Sequence, residues 1–126
     1  ITPCIGEAIR QIKFAVFEKD SNLYLVDNNV GVIRPNERVN SMYLNYCLCN
    51  SIGRLQINRL IGGGGVPFLG SDNLKKFIVP LPPFEKQNEI AEHISEIRKQ
   101  AQDLKDQTKL LLEKANKEIE DILLNT

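Results

Sequence analysis

The last forty-three residues limit the fold more than anything before them, because positions 84–126 contain neither glycine nor proline. They are rich in Glu, Lys, Gln, Leu and Ile, side chains that lose little rotamer freedom in a helix. Apolar residues recur there at Ile90, Ile94, Ile97, Ala101, Leu104, Leu111, Ala115, Ile119 and Ile122. From 90 to 115 the steps alternate four and three, with Thr108 the one polar member, which is a heptad seam. From 115 to 119 a second four follows directly, a stutter that locally unwinds a supercoil. Such a helix is roughly 60 Å long at ~1.5 Å per residue. The eighty-odd residues before it form a globule too small to cover that stripe along its whole length, so the helix needs another long helix.

Pro82-Pro83 marks the boundary between the two parts. The pair stiffens the exit from the globule and removes two backbone donors, so no sheet continues through it. Glu85 and Glu89 then fall in the first turns of the helix, where negative charge suits the positive end of the dipole.

Ahead of the boundary the pattern has a shorter period. Ile12, Phe14 and Val16 alternate with Lys13, Ala15 and Phe17, as in a half-buried strand. Asp20-Ser21-Asn22 is a turn cluster, followed by the apolar run Leu23-Tyr24-Leu25-Val26. Asp27-Asn28-Asn29 breaks again, Val30-Gly31-Val32-Ile33 reads as the next strand, and Arg34-Pro35-Asn36 closes it. Ser41 is placed to cap a helix running to about Leu60, with Leu44, Cys47, Leu48, Ile52 and Leu55 toward the core. Gly53 weakens that helix, and the pattern leaves Tyr43 and Tyr46 either packed or exposed. Gly62-Gly63-Gly64-Gly65 ends it. Val66-Pro67-Phe68-Leu69 returns to the core, Ser71-Asp72-Asn73-Leu74 suggests a short capped helical turn, and Phe77-Ile78-Val79-Pro80-Leu81 reads as a last strand, at an edge because of Pro80. The expected fold class is α+β: a small mixed domain of short strands and one packed helix over residues 1–83, then one long coiled-coil helix over residues 84–126.

Composition excludes several classes. A hydrophobic share of 42% is enough for a core, and without a run of eighteen apolar residues no membrane span is expected. The opening Ile-Thr-Pro-Cys lacks the pattern of a secretory signal, and a start without methionine reads as a fragment or as numbering from within a larger protein. Three cysteines (Cys4, Cys47, Cys49) without CxxC spacing argue against a disulfide framework and against zinc. Buried or half-buried thiols in a reducing cytoplasm are expected instead. The net charge of zero hides a division. Residues 1–80 carry nine basic against six acidic side chains, and residues 81–126 carry seven against ten. The basic half is a mild pointer to nucleic acid.

The glycine loop follows a helix instead of opening one. It lacks the Lys-Ser/Thr of a P-loop and the strand-before, helix-after order of a dinucleotide fingerprint. No ATP or NAD site, and no cofactor of any kind, is expected. Its backbone suits close approach to a DNA phosphate, and Arg54, Arg59, Lys75 and Lys76 flank it in sequence. The candidate DNA-binding residues are therefore Arg54, Arg59, Gly62, Gly63, Gly64, Gly65, Lys75 and Lys76, against the alternative of a flexible connector. His93, the single histidine, falls on a solvated flank of the long helix, and no catalytic group is expected to act with it.

Three segments carry a family resemblance. Ile78-Val79-Pro80-Leu81-Pro82-Pro83-Phe84-Glu85-Lys86-Gln87-Asn88-Glu89-Ile90-Ala91 is similar to the strand-to-helix junction "IPLPPLEEQ" of type I restriction–modification specificity subunits. Ile1-Thr2-Pro3-Cys4-Ile5-Gly6 resembles the family's "ITPRG" strand, with Cys4-Ile5 in place of Arg-Gly, and Asn29 to Pro35 resembles its "NxxVxxIRP" segment. The resemblance implies a target recognition domain that reads one half of a bipartite DNA site, and a long helix that pairs antiparallel with its counterpart as a ruler between the half-sites. It implies double-stranded DNA and methyltransferase subunits as partners, with a second copy or a second half of a specificity subunit along the helix. Catalysis would belong to the methyltransferase and nuclease subunits, in the cytoplasm. Recognition domains of this family carry several dozen residues before the Ile-Thr-Pro segment, so the chain is expected to be an incomplete DNA reader. Two other readings stand beside this one: a non-DNA interaction module on a coiled-coil stalk, and an enzyme using the glycine loop for a nucleotide. Without the resemblance, DNA recognition and the interaction module are nearly level.

Overall fold

A computed structural model of the chain describes residues 1–4, 9–11, 13–17, 24–62 and 64–125. Two Asn-Ser pairs organise its middle. Asn40 and Asn50 both hold extended backbone, and each accepts a hydrogen bond on its side-chain oxygen from the amide three residues on, Tyr43 N and Gly53 N, both at 2.9 Å. Each therefore caps a helix at the position where the first orphan amides need an acceptor. The helices are α1 (Ser41–Cys49) and α2 (Ser51–Leu60). The single helix expected from Ser41 to Leu60 is thus two, and Ser41 is the first helical residue after its cap.

The break at Asn50 alters which side chains face inward. Leu48 is buried and Leu44 and Cys47 are half-buried, as the spacing predicts, and Tyr43 and Tyr46 are buried beside them. Ile52 and Leu55 are 65% and 58% exposed, contrary to expectation, and Gly53 and Ile57 occupy the inner face of α2 instead. A helical stripe keeps its phase only while the helix is continuous, and the extended residue at 50 resets it. Gly53 makes the restart possible. A Cβ there would overlap the carbonyl oxygen of Leu48 and lie 2.7 Å from that of Cys47, so the start of α2 presses on the end of α1 where only glycine fits.

The strands are shorter than the alternation implies. β1 (Thr2–Pro3) pairs antiparallel with β2 (Val30–Gly31), Thr2 opposite Gly31 and Pro3 opposite Val30. Cys4 extends the pairing through its amide to Asn29 O at 2.8 Å, and its carbonyl accepts from Leu69 N at 2.9 Å. Residues 13–17 form no strand, yet Ala15 exchanges both backbone hydrogen bonds with Ile1, at 2.9 and 3.0 Å. Phe14 and Val16 are half-buried while Lys13, Ala15 and Phe17 are exposed, so the period of two is correct in its sidedness; Ile12 lies outside the described residues. Tyr24, Leu25 and Val26 are exposed and in no strand, so these three do not serve this core; Leu23 and the turn cluster Asp20-Ser21-Asn22 lie outside the described residues.

Residues 77–81 are a second correction. They form no strand. The Gln56 carboxamide donates to Ile78 O at 2.9 Å and accepts from Ile78 N at 2.8 Å. One side chain thus takes the place of a neighbouring strand beside a segment that Pro80 bars from a ladder. The helical turn at 71–74 is α3 (Ser71–Leu74); it follows Gly70 without a side-chain cap. Around these elements the core gathers Ile9, Ile57 and Leu69, the last two fully buried. Phe14, Cys49, Leu60, Ile61, Leu74 and Phe77 pack against it, and Phe14 meets Phe77 edge to face at 6.4 Å. Pro67 is buried with Leu69, whereas Val66 and Phe68 between and beside them are exposed.

The final element is α4 (Phe84–Leu124), 41 residues without interruption. Gln87 and Ala91 are buried and Ile90 and Ile94 half-buried, while every residue from Ser95 to Asn125 is exposed. Within that stretch Ile97, Leu104, Leu111, Ile119 and Ile122 are between 51% and 66% exposed. Thr108, the polar member of the seam, donates its hydroxyl to Leu104 O at 2.8 Å within the same helix. The chain divides into two units, Ile1–Ala91 and Glu92–Thr126. It is a small α+β domain together with a long C-terminal helix.

Candidate nucleic-acid interface and the base of the long helix

The glycine loop is closed at its root. Gly62 and Phe68 exchange both backbone hydrogen bonds at 2.9 Å, an isolated antiparallel bridge. Gly64 and Gly65 are exposed, and a Cβ on either would meet nothing within 4 Å. Gly63 lies outside the described residues. The backbone here is open to a ligand, and two hydrogen bonds confine the loop that carries it.

The four flanking cations divide into two groups. Arg54 and Arg59 are both exposed on α2, but a spacing of five in a helix of 3.6 residues per turn puts them about 140° apart. They do not share a face. Arg59 sits in the last turn, beside the loop. Lys75 and Lys76 follow α3 and are exposed; Lys75 pairs with Asp72 at 3.0 Å and Lys76 donates to Asn73 Oδ1 at 3.0 Å. The other end of the Asn73 carboxamide donates to Leu60 O at 2.8 Å. Asn73 therefore brings Lys76 to the C-terminal end of α2, where a cation also suits the negative end of the helix dipole. Arg59 and Lys76 thus lie toward the same end of α2, where the loop begins. His93 is exposed on α4. Among the described residues no group of His, Cys, Asp and Glu is placed to hold a metal ion.

The seam residues read from the sequence fall into a half-buried pair, Ile90 and Ile94, and an exposed series, Ile97, Ala101, Leu104, Leu111, Ala115, Ile119 and Ile122. The sequence pattern gave no notice of what lies just before them. Gln87 is 1% exposed and fully bonded: its amide donates to Arg38 O at 3.0 Å and Pro82 O at 2.8 Å, and its oxygen accepts from Asn40 N at 3.0 Å. Asn40, already the cap of α1, donates its side-chain amide to Asn88 Oδ1 at 2.8 Å. Two consecutive residues of α4 are thereby bonded to one cap residue forty-seven and forty-eight positions earlier. A glutamine in an early helical turn normally points to water; the signal available was its place within the proline-rich junction.

Tyr43 completes this base. Its hydroxyl donates to Pro80 O at 2.9 Å, and burial, followed by the neighbouring Cys47 thiol, pushes its pKa up to about 12. The Cys4 thiol is likewise raised by burial, as expected of a packed cysteine. No helix of the described residues is long and apolar enough to cross a membrane.

No solved structure matches the chain. It is similar to the type I restriction enzyme MjaVIII specificity subunit of Methanocaldococcus jannaschii, with 27% identity over 123 residues. That alignment takes in 97% of this chain and 28% of the relative, so the chain spans a little over a quarter of that protein's length. A family model described as the type I restriction modification DNA specificity domain matches residues 4–114, from just after β1 into the exposed part of α4. With most of its length inside that match, the chain belongs to the family of type I restriction–modification DNA specificity domains.

Proposed function

We propose that this chain forms part of a DNA-reading subunit, in which residues 1–83 contribute to recognition of one half of a bipartite site and residues 84–126 pair with another helix to space the halves. The subunit is non-catalytic in this reading, needs no cofactor and works in the cytoplasm with methyltransferase subunits that modify the DNA. The observation that carries the proposal is the aliphatic seam of α4, exposed from Ile97 to Ile122 in a helix whose sequence keeps a heptad as far as Ala115. Exposed aliphatic stripes of this length are covered in a working assembly. The complement on the DNA side is the candidate set Arg54, Arg59, Gly62, Gly63, Gly64, Gly65, Lys75 and Lys76, suited to phosphates more than to base edges.

The test uses the complete subunit with its methyltransferase partner in a competition gel shift. Binding that prefers one sequence and weakens steeply with salt is expected, because phosphate contacts release counterions. Arg59→Ala should weaken binding to all sequences alike and lower the salt slope by about one. Absence of any sequence preference in the complete complex would overturn the reading in favour of a non-DNA interaction module.

A further inference from the structure

We infer that the Gln87 carboxamide, together with the Asn40–Asn88 bond, is the positioning device that fixes the rotation of α4 about its own axis at its base. This rests on the spacing role proposed above and names the residues on which that spacing depends. A helix leaving a globule through two prolines is restrained along its direction, but apolar packing alone leaves its azimuth soft, since aliphatic side chains have no directional preference. Hydrogen bonds are directional. Gln87 makes three from a fully buried position, to carbonyls of Arg38 and Pro82 and to the amide of Asn40. Asn88, the next residue around the helix, makes a fourth with the Asn40 side chain. Consecutive residues project about 100° apart, so bonds from both hold the helix against turning in either sense.

Rotation matters for a spacer because DNA is itself helical. One base pair added between half-sites turns one of them by about 35° relative to the other. A base that holds the azimuth rejects such a site; a base free to turn accepts it. Gln87 touches no DNA in this proposal and is a positioning residue.

The experiment uses the complete subunit in complex with its methyltransferase. Methylation mapping first defines the wild-type half-sites and spacer, and rates are then measured on templates with the spacer lengthened or shortened by one base pair. Gln87→Met keeps the length and bulk of the side chain without its hydrogen bonds. The wild type should favour its own spacer by at least tenfold. Gln87→Met should reduce that ratio to about threefold or less while methylation at the native spacer stays within about threefold. An unchanged ratio overturns the inference, including the case in which all rates fall together, which is what a merely structural role produces. Should Gln87→Met fail to fold, Asn88→Ala decides: it removes one bond from a half-buried residue, and a reduced ratio supports the inference while an unchanged one overturns it. A wild-type complex with no site preference defeats the functional reading itself, and is seen before any variant is made.

Discussion

Residues 30–91 and residues 95–125 use their polar side chains in opposite ways. In the first region amides bond to backbone: Asn40 and Asn50 cap helices, Gln56 mimics a strand, Asn73 closes the end of α2 and Gln87 grips three separate backbone groups. In the second they bond along the helix surface, as Gln102 does to Asp106 at 2.9 Å and Lys109 to Glu113 at 3.8 Å. Exposed pairs four residues apart contribute only about 0.2–0.5 kcal/mol each. The head is therefore specified by contacts inside the chain, whereas the distal helix has little beyond propensity until its seam is covered. The two should respond to different mutations.

The largest effect is expected in the seam. Replacing Ile97 and Leu104 together by Lys should convert a dimer of this chain to a monomer in light scattering. At roughly 1.5–3 kcal/mol per buried aliphatic side chain, the four lost from a dimer, two from each copy, amount to about 6–12 kcal/mol, or at least on the order of 10⁴ in affinity. An unchanged mass would break the comparison at its centre. Gly53→Ala comes next and strikes only the head. Its methyl group meets the carbonyls of Cys47 and Leu48, so thermal unfolding of the head should show a destabilisation of about 1–3 kcal/mol with association unaltered. Asn50→Ala removes the cap of α2 and should cost about 1 kcal/mol in the same measurement; a neutral result would show that the break between α1 and α2 does not depend on that cap.

The smallest effect depends on pH. In the folded state the Tyr43 hydroxyl keeps its proton to about 12, against an ordinary value of 10.0. A raised acid pKa means that the folded head binds this proton more tightly than the unfolded chain. The contribution is therefore complete below pH 10 and lost as pH rises toward 12. Tyr43→Phe should show a shallower loss of stability than wild type across that window and only a small deficit at neutral pH, from the missing bond to Pro80. Parallel curves would mean that the hydroxyl is no better held in the folded head than in the unfolded chain.

The long helix, its start after Pro83 and its stripe were legible because they rest on many residues with one period. The inward side of Phe14 and Val16 was legible for the same reason, although no strand forms there. The division at Asn50 was not, since it depends on one residue's extended backbone and on a glycine whose role is contact with two carbonyls. The strand expected at 77–81 failed because Gln56, twenty-two residues away, supplies its partners; no local pattern encodes that. At the candidate interface, five steps along α2 turn Arg54 away from Arg59, an angle that sequence proximity alone does not express. Asn73 and Gln87 act through tertiary geometry, and only the junction motif around Gln87 marked its neighbourhood.

Thr108 leaves a last consequence for the seam. Its hydroxyl is already satisfied by Leu104 O inside its own helix, so a facing helix need supply no mate for it. A buried asparagine in such a place would penalise every alignment but one, because a slipped partner strands its amide. Here a partner displaced by seven residues meets no orphaned group at that level, and the choice of alignment passes to whatever holds the two ends.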